Sequence, residues 1–123
     1  MILQSFFFSN NNNNHLFALD GPIIIRTQGY TLSEAVSPGS PARLLCVIDA
    51  NPFDLSHVRW YKDHREIQLD QWERRIEGKE VSLIRQSIEP TDRGEYLCEV
   101  ENSFGTTRAT IRLFIQCNSS KIE

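Results

Sequence analysis

Apolar and polar residues alternate with a period of two through most of the chain from residue 21 to residue 116. Side chains on a β-strand point to opposite faces in turn, so this alternation predicts strands with one face buried. Gly21-Pro22 opens an extended piece, Ile23 to Arg26, and a second covers Thr31 to Val36. Ser37-Pro38-Gly39-Ser40-Pro41 breaks the pattern, and prolines at that point suit an edge strand. Strands are then predicted for Ala42 to Ala50, His57 to Lys62, Arg65 to Ile67, a short piece at Arg75-Ile76, Glu80 to Ser87, Gly94 to Asn102 and Thr106 to Gln116. Asn51-Pro52, Asp63-His64, Glu89-Pro90-Thr91-Asp92 and Ser103-Phe104-Gly105 mark turns. This density of short strands and turn signals predicts an all-β sandwich, and no stretch carries a helical period.

The ends differ from the middle. Met1 to Phe8 is apolar but short and has no Lys or Arg, so a secretory signal would lack its basic start. Asn10 to Asn14 is a homopolymer run that has no apolar area to bury. Residues 1–20 are therefore expected to form a disordered lead, residues 21–116 the domain and residues 117–123 a polar tail, as in one module cut from a longer protein.

With 123 residues there is length for one domain. The net charge is −3, with no basic block, which makes nucleic acid and anionic membrane poor partners. No apolar run approaches the length of a membrane-spanning helix. The catalytic motifs that would mark a nucleophile elbow, a zinc protease or a phosphate loop are missing. The histidines, His15, His57 and His64, do not have metal-ligand spacing, and the acids fall on an open strand face that would not desolvate them. A non-catalytic domain without cofactor or metal is expected.

The residues Asp92-Arg93-Gly94-Glu95-Tyr96-Leu97-Cys98, with Cys46 upstream and Trp60 between the two cysteines, carry a specific signal. This D-x-G-x-Y-x-C string resembles the immunoglobulin superfamily. The run from Val81-Ser82-Leu83 through Cys98 to Glu99-Val100-Glu101-Asn102 looks like its intermediate, or I-set, type, found in tandem modules. Glu101-Asn102-Ser103-Phe104-Gly105 is also similar to modules of nephrin-type adhesion receptors. The resemblance implies a two-sheet Greek-key sandwich with a Cys46–Cys98 disulfide packed on Trp60. Such a cross-link would close a loop of about 50 residues and add roughly 4 kcal/mol in the chain-entropy model. It further implies that the Tyr96 hydroxyl bonds to backbone at the preceding corner. Asp92 would pair with an arginine on an earlier strand, Arg75 being the candidate and Arg74 the fallback. Arg85 departs from the family pattern. It stands two residues after Leu83, where an aliphatic side chain is usual, so it must snorkel, find a carboxylate or follow a bulge. His64 occupies a tight-turn position where glycine is usual. Cys117 is left over: an effect of where the chain ends, an intermolecular bond and a free thiol are all open.

Placing Cys46, Trp60 and Cys98 inside assigns the faces. Leu44, Cys46, Ile48, Val58, Trp60, Tyr96, Cys98, Val100, Ala109, Ile111, Leu113 and Ile115 face the core. Arg59, Tyr61, Glu95, Leu97, Glu99, Glu101, Arg108, Thr110 and Arg112 face outward on three neighbouring strands. That surface reads either as a self-neutralised, solvated sheet or as a docking face, with Arg59, Tyr61, Leu97, Glu99, Arg108 and Arg112 as candidate contacts. Phe104 either folds back over the sandwich end or reaches a partner. Asn118-Ser119-Ser120 matches the N-glycosylation pattern. The resemblance implies a cell-surface or secreted multi-domain protein that binds a protein on an adjacent cell, homophilically or heterophilically. Rival readings are a structural module of an intracellular muscle-type filament, with reduced cysteines, and a ligand-binding module of a receptor kinase.

Overall fold

The computed structural model describes residues 6–9, 16–51, 57–68 and 71–117. Among the described residues the chain forms nine strands and one short turn of 3-10 helix: β1 (Phe6–Ser9), β2 (Leu16–Gln28), β3 (Ala42–Asn51), β4 (His57–Lys62), β5 (Arg65–Glu66), β6 (Glu73–Glu77), β7 (Glu80–Arg85), the 3-10 turn Pro90–Asp92, β8 (Gly94–Asn102) and β9 (Gly105–Leu113). One sheet has the order β1-β2-β3-β7-β6 and the other β5-β4-β8-β9. Every strand pair within them is antiparallel.

β1 and the first residues of β2 lie in the lead, where strands were not expected; Phe6–Ser9 and Leu16–Leu19 are paired in register. β2 joins the sandwich at Asp20 and pairs with β3 through two register irregularities, at Asp20/Ile23 and Ile24/Arg26. Its chain then leaves the first sheet. Tyr30 and Val36 make parallel bridges to Leu113 and Ile115, so this segment borders the second sheet as well. Gly29 stands at the crossover because a Cβ there would lie 2.5 Å from the Arg112 carbonyl oxygen and from an Ile111 methyl.

The core follows the alternation. Leu44, Cys46 and Ile48 from β3 are buried, as are Val81 and Leu83 from β7, Val58 and Trp60 from β4, Tyr96, Cys98 and Val100 from β8, and Ile111 and Leu113 from β9. Ile115 packs against this cluster, and Ala109 is half-buried. Trp60 is the direct cross-strand neighbour of Cys98. Three core residues, Val36, Trp72 and Ile88, come from outside the named strands. The Trp72 ring lies 5.6 Å from that of Tyr96 at 54°, an angled aromatic contact of the favoured kind.

The corner before β8 is closed by Tyr96, whose hydroxyl donates to the Asp92 carbonyl. The Glu89 amide donates to the Asp92 carboxylate at 2.7 Å. The expected partner of Asp92 is corrected. Arg75 sits opposite Ser82, on the outward face of its sheet, and pairs with Glu73 at 3.0 Å. Arg74 donates to the Val58 carbonyl at 2.7 Å. The partner is Arg85, 3.3 Å from Asp92. It shares the inward parity of Leu83, so its guanidinium arrives at the bottom of the core where Asp92 is.

Cys46 and Cys98 are fully buried and stand as two free thiols, hydrogen-bonded to each other. The bond expected between them is not formed in this structure. That hydrogen bond, followed by burial, holds the Cys98 thiol well above the ordinary thiol range. Asn118 and the polyasparagine run lie outside the described residues, and Cys117 is exposed.

Candidate functional site

The outward surface of β4, β8 and β9 carries the candidate site. Register places Arg59 beside Glu99 and Glu99 beside Arg108. It likewise places Tyr61 beside Leu97 and Leu97 beside Thr110, and Glu95 beside Arg112. Side chains directly opposite on antiparallel strands are within reach of one another. All six candidate contact residues are therefore brought onto one face.

Glu99 behaves differently from the rest of the acidic ladder: it is only 8% exposed on a face that is otherwise open. Arg108 Nε donates to its Oε2 at 2.8 Å and the Tyr61 hydroxyl to its Oε1 at 3.4 Å. His57, not counted in the face by sequence, adds a third neighbour. Its Nε2 lies 3.5 Å from Glu99 Oε1, while its Nδ1 lies 2.7 Å from Glu101 Oε1. His57, Arg59 and Tyr61 share the outward parity of β4, which was the signal available for including it. Arg59 is held above the ordinary guanidinium value, first by its hydrogen bond to Tyr61. A continuous polar chain thus runs Arg59–Tyr61–Glu99–Arg108 across three strands.

Next to this chain the face sinks into a shallow hollow of about 260 Å³, with Leu97 and Tyr61 as apolar content and Asp63, His64, Glu95 and Arg108 around it. Asp63 and His64 belong to the turn between β4 and β5 and both have positive φ, 50° and 74°. That geometry is the hairpin turn whose twist matches the flanking strands. The Asp63 amide bonds to the Glu95 carbonyl at 3.1 Å, bringing the turn against β8.

The β8–β9 turn is fixed by Asn102, which is 2% exposed. Its side-chain oxygen accepts from the amides of Phe104, at 2.8 Å, and Gly105, at 3.1 Å. Phe104 itself is half-buried. Among the described residues no group of His, Cys, Asp and Glu is arranged to hold a metal. No described helix is long and apolar enough to cross a membrane.

Two sheets joined face to face, with a buried tryptophan against a cysteine pair and a tyrosine tied to its corner, define an immunoglobulin-like domain. The immunoglobulin I-set domain family matches residues 28–115, and the chain belongs to that family. Human cell adhesion molecule DSCAML1 is 37% identical over 79 residues, covering 63% of this chain and 4% of that protein. Fibroblast growth factor receptor 1 of Xenopus laevis is 36% identical over 84 residues, covering 64% of this chain and 10% of the receptor. The chain therefore spans a small fraction of these relatives' length. Among solved structures, titin domain M7 superposes with a TM-score of 0.67 at 25% identity, covering 78% of this chain and 94% of that one. The titin domains Z1Z2 in complex with telethonin share the fold, with a TM-score of 0.70 at 18% identity over 81% of this chain and 50% of the other. Domains of this family and the adhesion relatives are in general non-catalytic and work by protein contact.

Proposed function

We propose that this module is a non-catalytic protein-binding unit of a multi-domain cell-surface or secreted protein, and that it docks through the β4–β8–β9 face. The observation that carries the reading is the hollow at Tyr61 and Leu97, set beside the closely paired Glu99 and Arg108. Aromatic and arginine side chains are favoured contact anchors, and paired charges at the rim steer a partner more than they hold it. The likeness to an adhesion molecule supports the cell-surface setting. In this reading the partner is a protein on an adjacent cell, and Asn118 carries a glycan. In an oxidising compartment Cys46 and Cys98 are joined as the core disulfide during folding, by exchange with an external disulfide that leaves as two thiols.

The test uses beads coated with the module and scored for attachment to cells that express its binding partners. Tyr61→Asp together with Leu97→Asp should abolish attachment while circular dichroism shows the sheet fold retained. Attachment unchanged by that pair would place binding elsewhere on the domain. The likeness to titin domain M7 at 25% identity favours a second reading, a load-bearing filament module. Mass spectrometry of the native protein without reductant separates the two. Oxidised Cys46–Cys98 fits the adhesion reading, and two free thiols fit the filament.

A further inference from the structure

The hollow beside Leu97 has two chemically different ends. At one end Glu99 is closed off: Arg108, Tyr61 and His57 surround its carboxylate, and its side chain is 10% exposed. At the other end two carboxylates stand open. Asp63 is 62% exposed at its side chain and has Lys62 Nζ at 3.7 Å. That ammonium is engaged elsewhere, donating to the Thr91 carbonyl at 2.9 Å and lying 5.9 Å from the centre of the Tyr96 ring. Glu95 reaches Arg112 at 3.4 Å, but both side chains are half or more exposed, so water screens the pair. The backbone bond between Asp63 and Glu95 keeps these two acids next to each other.

An apolar floor ending at two adjacent, weakly neutralised carboxylates fits a side chain with an aliphatic stem and a cationic head. Arginine meets that description best, because its planar fork can bond two carboxylates at once and its face can stack on an aromatic ring. Building on the docking reading, we propose that the hollow receives one arginine of a partner protein, its stem on Leu97 and Tyr61 and its guanidinium between Asp63 and Glu95. The occupant is a basic segment of a different protein. A second copy is disfavoured because two arginines of this face are engaged within it, Arg108 with the buried Glu99 and Arg59 with Tyr61.

The probe is a short capped peptide, alanine-arginine-alanine, titrated into the isotopically labelled module and followed by amide chemical shifts. Shifts should centre on Asp63, His64, Glu95 and Leu97. They should fall at least tenfold at equal peptide concentration when citrulline replaces arginine, and again in the Asp63→Asn/Glu95→Gln variant, whose melting temperature should match the parent. Equal shifts with citrulline, or in that variant, would overturn the proposal, as would shifts centred elsewhere. Sedimentation of the free module as a monomer is expected; a dimer lost on Asp63→Asn/Glu95→Gln would assign the hollow to a second copy and overturn it. In the bead assay the same variant should lose attachment. Attachment kept by it but lost with Tyr61→Asp/Leu97→Asp would leave the docking face standing and sink the arginine alone.

Discussion

The Arg85 guanidinium and the Asp92 carboxylate meet at 3.3 Å at the base of the sandwich, each side chain only 11% exposed. Arg85 is also 3.3 Å from Glu89, donates to the Ser87 carbonyl at 3.0 Å, and lies 6.0 Å from the Trp72 ring centre. Asp92 in turn holds the Glu89 amide and lends its carbonyl to Tyr96. One ion pair therefore ties the end of β7, the 3-10 turn and the start of β8 into a single corner.

Removing one member of such a pair leaves a buried charge behind, a loss of about 3–5 kcal/mol. Arg85→Ala should destabilise the domain by about that amount in urea unfolding. Arg75→Ala, which breaks an exposed contact with Glu73, should cost less than about 1 kcal/mol. Equal losses from the two substitutions would mean that Asp92 has no special partner.

Burial, with the Asp92 charge nearby, raises the Tyr96 phenol well above its ordinary value of 10.0. A raised folded value means the native state keeps a proton that the unfolded chain gives up. The stabilisation is therefore complete below about pH 10 and is lost as pH rises beyond it. In ultraviolet titration Tyr96 should ionise only together with unfolding. Ionisation of Tyr96 in the still-folded domain would contradict this.

His64 holds a φ of 74° without the freedom of glycine. His64→Gly should raise stability by about 1 kcal/mol, because the left-handed conformation costs a branched backbone roughly that much. Thermal unfolding reads the gain. A loss instead would show that the imidazole makes contacts that outweigh the backbone strain.

Gly29 has no room for a side chain at the crossover. Gly29→Ala places a methyl 2.5 Å from the Arg112 backbone oxygen, which cannot swing aside like a side-chain tip. A loss of about 1–3 kcal/mol is expected from such overpacking, with faster amide exchange at Tyr30 and Phe114. Unchanged exchange there would separate Gly29 from the pairing it adjoins.

The strand plan was legible around Cys46, Trp60 and Cys98 because alternation there is uninterrupted, and Leu44, Ile48, Val58, Val100 and Ile111 are buried as read. Trp72 and Ile88 escaped because they enter the core from irregular segments, where no period marks an inward side. The sequence did flag Arg85 as anomalous. Its partner depended on the register of β6 against β7, and a single step of parity turns Arg75 outward and brings Arg85 in. On the candidate face, the membership of Tyr61, Leu97 and the arginines was readable from alternation. The burial of Glu99 was not, since it comes from three side chains converging across strands.

The segment from Tyr30 to Val36 lies parallel to the end of the chain, held by four backbone bonds: Tyr30 to Arg112, Phe114 to Tyr30, Val36 to Phe114 and Gln116 to Val36. Parallel neighbours leave a sandwich in opposite directions. Tension applied at Tyr30 and at Gln116 would therefore drag this seam lengthwise, loading its bonds together rather than peeling them one by one, while β2 before it is held separately to β3. The β4–β8–β9 face would keep its form under such a pull until the whole seam gives way.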